Sequence, residues 1–192
     1  RDGCTRRGNG GGAICTGTTP ILTNCVLMAN GAFHGAGSYK GTLRHCVIRD
    51  NICRYSGGAT CKRILYDCTV SGNICEAEGG GVYYGAAVNC TITGNAGGWG
   101  GGTAFANLHN CTVSDNRATV YYGGGCYYGT ANNCIIMNNH ASHEGGGSAY
   151  GTRNNCVISG NPSGGGGGGP VRSRGRDLSG PGHARGRDRV AG

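Results

Sequence analysis

The chain has 192 residues, 43 of them glycine, and a formal net charge of +8. Val, Ile, Leu and Phe together fill only 28 positions, and so few bulky apolar residues beside a high net charge usually mark a disordered chain. Thirteen cysteines and ten tyrosines oppose disorder, 4 prolines without a three-residue glycine period exclude collagen, and no apolar run reaches the roughly 18 residues of a membrane span.

Along the chain, Cys4, Cys25, Cys46, Cys68, Cys90, Cys111, Cys134 and Cys156 recur every 21–23 residues. Five positions after each stands an asparagine: Asn9, Asn30, Asn51, Asn73, Asn95, Asn116, Asn139 and Asn161. Two positions after the cysteine, Leu27, Ile48, Val70, Ile92, Val113, Ile136 and Ile158 are aliphatic, and only Arg6 departs. A glycine-triplet block precedes most cysteines. It is eroded at 10–15, 35–41 and 57–63, fullest at 79–85, and echoed at 100–106, 123–129 and 145–151. Each unit thus carries two short β-like runs separated by Gly/Asn turn chemistry. A leucine-rich repeat is excluded, because the chain has six leucines and each glycine opposes a helical return by about 1 kcal/mol. Calcium-binding glycine–aspartate nonapeptides are absent from the sequence.

The expected fold is all-β: a single-stranded right-handed parallel β-helix of about seven to eight ~22-residue turns. It covers residues 1–161 and is followed by a disordered Gly/Arg-rich tail at 162–192. Stacked turns place one position of each unit in a straight ladder at about 4.8 Å spacing. The cysteine and the aliphatic two residues later share the inner face. Leu22, Leu43, Leu65, Ala87, Leu108 and Ala131 continue it, with Arg153 departing. The asparagines are expected to bridge turn to turn while adopting left-handed dihedrals. So thin a core needs few bulky residues, which removes the argument for disorder through residue 161.

The run Gly11-Gly12-Ala13-Ile14, followed by a short polar segment ending in Asn, resembles the repeat signatures of polymorphic outer-membrane protein passengers. More broadly, the columns are similar to right-handed parallel β-helix repeat proteins of bacterial surfaces. The resemblance implies an adhesin-like or structural protein that is secreted or held at the cell surface. It departs in placing Cys where many relatives carry Phe.

A column six residues before each ladder cysteine, Lys40, Lys62, Tyr84, Phe105, Tyr128 and Tyr150, is expected to form an outward stripe roughly 25 Å long. Tyr84, Phe105, Tyr128 and Tyr150 are its candidate glycan-binding residues, and polysaccharides or host and cell-surface glycans are the expected partners. The alternative function is a carbohydrate-active enzyme, a polysaccharide lyase or glycoside hydrolase, using Glu76 and Glu78 with Arg54 nearby. Glu144 lies three turns, or about 14 Å, away, too far for an acid/base pair. His140, His143 and Glu144 read as solvated loop residues, and Asp50 and Asp115 as turn caps. No catalytic set, metal site or cofactor is expected. Without any C-x-x-C pair, the thiols read as buried small hydrophobes, while Cys15, Cys53, Cys61, Cys75 and Cys126 leave cross-core disulfides open. An uncapped stack exposes strand edges, so further turns or an anchoring domain of the same protein are expected partners. Nucleic-acid contact through the arginines of 164–192 is the weakest reading.

Overall fold

The structure, a computed structural model, describes residues 10–14 and 20–165 and the backbone of one further strand, Val171–Arg174. All paired strands are parallel and lie in three sheets of ten, seven and six strands. One turn passes through all three. Ser38–Arg44 belongs to the first sheet, Val47–Arg49 to the second and Ile52–Ser56 to the third, before Thr60–Tyr66 re-enters the first one rung higher. The second sheet holds seven rungs, hence six complete turns, and no helix occurs among the described residues. Cys4, Asn9 and Cys15 of the first expected turn lie outside the described residues. Pairing runs past Asn161: Ser163 bridges Ala141, and Val171–Arg174 pairs with Ser148–Asn154.

Registers match the sequence columns, as in Ile48↔Val70, Ile92↔Val113 and Ile136↔Ile158. These aliphatics are fully buried together with Leu43, Leu65 and Ala87. Arg153, expected to depart from the inner face, is buried there as well. It donates from Nη1 to the carbonyls of Gly129 at 3.0 Å and Thr152 at 2.8 Å.

The asparagine column is an amide ladder. Asn73 shows its wiring, with Oδ1 accepting from the Asn51 N–H at 3.0 Å and from Asn51 Nδ2 at 2.8 Å. Its own Nδ2 donates to Ser71 O at 3.1 Å, to Ile48 O at 3.0 Å and to Asn95 Oδ1 at 2.9 Å. The left-handed dihedrals fall one residue earlier than expected, on Ala29, Asp50, Asp115 and Asn138 and on Gly72, Gly94 and Gly160. The ladder amide is occupied axially, so the preceding residue takes the bend.

The cysteine column repeats this wiring, which a reading of thiols as plain hydrophobes does not anticipate. Cys111 donates its thiol to His109 O and Ala87 O, each at 3.3 Å, while its N–H donates to Cys134 Sγ at 3.4 Å. Cys25, Cys46, Cys68, Cys90, Cys134 and Cys156 likewise donate to the carbonyl two residues back.

Candidate functional site

The long strands of the first sheet are kinked at one position in every turn. Lys40, Lys62, Tyr84, Phe105, Tyr128 and Tyr150 have φ between 49° and 60°. A left-handed conformation costs a bulky L-residue roughly 1–2 kcal/mol, and strain of this kind collects where a surface is put to use. The kink turns Lys40, Lys62, Tyr84, Phe105, Tyr128 and Tyr150 outward, and in three turns the preceding Tyr39, Tyr83 or Tyr127 is partly exposed beside it. The rings then stack along the coil axis. Tyr84 lies 5.8 Å from Phe105, Phe105 lies 5.2 Å from Tyr128 at 8° between planes, and Tyr128 lies 5.3 Å from Tyr150 at 19°. Tyr83 and Tyr127 meet Phe105 edge-on at 5.9 and 5.6 Å. Neighbouring rings therefore occupy one another's faces, and ring edges line most of the stripe. Tyr84, 58% exposed, ends the stack beside Lys62.

A second aromatic column stands on the third sheet and in the loops that follow it. Phe33 stacks on Tyr55 at 5.3 Å, Trp99 on Tyr121 at 4.4 Å, and Tyr121 on His143 at 5.9 Å. Tyr122 reaches Tyr150 edge-on at 5.7 Å and ties the two columns together. No sequence expectation named this column. Its signal is a spacing: Phe33, Tyr55, Tyr121 and His143 each lie 13 residues before a ladder cysteine, and only Trp99, 12 before Cys111, is shifted by one.

The triplets form the corner between the columns. A Cβ at Gly80 would meet Ala96 O at 2.2 Å, and one at Gly124 would meet Gly146 O at 2.4 Å, so only a bare backbone fits. Beside this corner a groove of about 530 Å³ is lined by His34, Tyr39, Ser56, Cys61, Lys62, Tyr83 and Tyr84. His34 Nδ1 and Ser56 Oγ are 2.6 Å apart. Burial and the Lys62 charge lower the His34 pKa, so the ring is neutral near pH 7. Burial and the adjacent Glu78 carboxylate push Tyr83 up to about 12, and burial pushes Cys61 up to about 11. The groove thus combines hydrogen-bonding rings and hydroxyls with Lys62 on one side and Glu78 beside Tyr83.

The other sequence candidates are dispersed. Glu76 faces Arg54 in an exposed pair at 3.7 Å, Glu78 belongs to the Tyr83 side of the groove, and His143 is held in the second aromatic column. Asp50 and Asp115 occupy left-handed turn positions. No three Cys, His, Asp or Glu side chains converge as a metal-binding group among the described residues. No described helix is long and apolar enough to cross a membrane.

No curated protein and no solved structure matches the chain significantly. One family model, described as Periplasmic copper-binding protein (NosD), matches residues 11–164. That span holds every described strand except Val171–Arg174, the described rungs of both ladders and both aromatic columns, and the chain belongs to this β-helix family.

Proposed function

We propose that the chain is a non-catalytic β-helix scaffold of the cell envelope whose glycine corner, walled by two aromatic columns, binds an extended polysaccharide. The observation that carries this reading is the strained column from Lys40 to Tyr150. Six bulky side chains in a row hold left-handed dihedrals only to stand outward at regular rung spacing, and a regular row of this kind suits a regular polymer. The groove supplies the end contact, where the free face of Tyr84 receives a sugar ring and Lys62, Ser56 and His34 meet its hydroxyls. The family's periplasmic description and the likeness of Gly11–Ile14 to surface passengers both favour a location outside the cytoplasm.

The family description also names copper. The column thiols are engaged with backbone carbonyls, and no trio of suitable donors converges among the described residues. These residues do not fit a copper centre.

Binding is tested by retention on a panel of immobilised neutral and uronate polysaccharides. Tyr84→Ala and Lys62→Ala are expected to weaken retention of the bound glycan at least tenfold while leaving the unfolding midpoint within error. Equal retention of wild type and both variants would overturn the site. The second reading, a lyase or hydrolase, is favoured by Glu78 beside Tyr83 at the groove. Release of sugar products that stops in Glu78→Gln would establish it in place of the first.

A further inference from the structure

The described cysteines fall into three groups: the column, Cys61 and Cys126 on the first sheet, and Cys53 with Cys75. Every described column cysteine hands its proton to the carbonyl two residues back. Cys53 and Cys75 lie elsewhere, on the third sheet, at paired positions of adjacent rungs. Their sulfur atoms are 2.8 Å apart, well inside the separation of two non-bonded sulfurs. Both are buried, at 1% and 2% exposure, in a small cluster with Ala36 and Ala32. Rung spacing of about 4.8 Å lies within the Cα separation a disulfide spans. The difficulty with stacked thiols is that in-register side chains point the same way, so the sulfurs need local twisting to meet. Here the two strands pair without a shift, Ile52↔Ile74, Cys53↔Cys75 and Ser56↔Glu78, and the sulfurs nevertheless lean into contact.

We infer that Cys53 and Cys75 are a cross-linking site, forming a disulfide that staples two adjacent turns next to the groove. The bond forms by exchange with a small-molecule or protein disulfide. The two thiols lose two protons and two electrons, the S–S bond closes, and the oxidant leaves as two thiols. The finished coil buries both sulfurs, so exchange takes place while the rungs are closing. Cys61, which lines the groove at the same corner, remains a thiol. This inference does not depend on the glycan reading.

The test is refolding of the full chain in oxidised and reduced glutathione, alkylation without reductant, and fragmentation mapping of the linked peptides. A Cys53–Cys75 linkage is expected, with the column cysteines alkylated. Oxidised wild type should melt above the reduced form, and Cys75→Ala should lose that difference while Cys53 becomes alkylated. The inference is overturned if both thiols are alkylated in the oxidised protein, or if Cys53 is joined to Cys61 or to a column cysteine. The peptide map on wild type decides the matter even if a variant does not fold.

Discussion

The two ladders that bracket the second sheet use one wiring plan in two materials. In both, the side chain accepts the N–H of its counterpart one turn back. It donates to the carbonyl two residues before itself, and to the carbonyl three residues before that counterpart. Asparagine has two N–H bonds and spreads them over these carbonyls and the next amide, at 2.8–3.1 Å. A thiol has one proton to share between two carbonyls and makes longer contacts, 3.3 Å to each from Cys111. The comparison separates two properties of a ladder residue. Size and burial put a side chain in the column, but the number of protons it carries sets how firmly it joins the turns.

The largest effect should come from Asn95→Ala. It strips the acceptor from Asn73 N and Nδ2 and the donor from Val70 O and Thr93 O. With each buried unsatisfied group costing ~1–3 kcal/mol, a loss of about 4 kcal/mol is expected in urea unfolding. Next comes Gly125→Ala, whose Cβ would lie 2.5 Å from Gly147 O and 2.9 Å from Asn139 Nδ2. Overpacking there should cost about 2 kcal/mol by pressing on both the Gly147 carbonyl and the amide ladder. Cys111→Ala should lose about 1.5 kcal/mol, reflecting one shared proton. If it destabilises as much as Asn95→Ala, the ranking of the ladders is broken.

A pH titration sharpens the contrast, because amides do not ionise and thiols do. Burial raises the pKa of Cys46 and Cys126 and brings Cys61 to about 11. A raised folded pKa means that the folded chain holds protons the unfolded chain releases. This stability is complete below the ordinary thiol range near 8.5 and is lost as pH climbs toward about 11. Melting temperature under reductant should therefore fall less in Cys61→Ala than in wild type between pH 8.5 and 10.5. Equal falls would show that Cys61 does not keep its proton on folding. The smallest effect is expected in an outer, solvent-exposed row of left-handed residues. There Asn155 donates to Asn133 at 2.8 Å and Asn110 to Asn89 at 3.4 Å. Asn133→Gly relieves φ strain and lets water replace the amide, so its urea midpoint should shift by less than about 0.5 kcal/mol.

Much of the coil is legible because stacking turns a spacing into a position. The Cys and Asn columns, the inner aliphatics and the stripe from Lys40 to Tyr150 are each fixed by counting from one cysteine. What escapes has a physical cause. Arg153 looks foreign in an apolar column, yet its long side chain finds the Gly129 and Thr152 carbonyls from inside. The bend at Asp50 and Asp115 is displaced by one residue because the ladder asparagine has both ends of its amide engaged. Phe33, Tyr55, Tyr121 and His143 each stand 13 residues before a ladder cysteine, but Trp99 stands 12 before Cys111 and the rung of Ala77 carries no ring, so the second column shows only as an interrupted spacing. The closeness of Cys53 and Cys75 is likewise invisible in spacing alone, because a common column gives side chains one direction but does not bring their tips together.

The ladder wiring also turns each repeat into an interchangeable link. A turn's asparagine oxygen and cysteine sulfur accept N–H groups of the turn before it, and its own N–H groups and carbonyls meet the same side chains of the turn after it, whatever its outer residues are. Duplicating or excising one whole unit, for instance 90–110, should leave every remaining joint intact and change the length by about 4.8 Å. Cutting within a unit would sever both ladders at once. Such a chain can be lengthened or shortened like a ruler, in ticks of one turn, while the pattern on its outer face is rewritten independently.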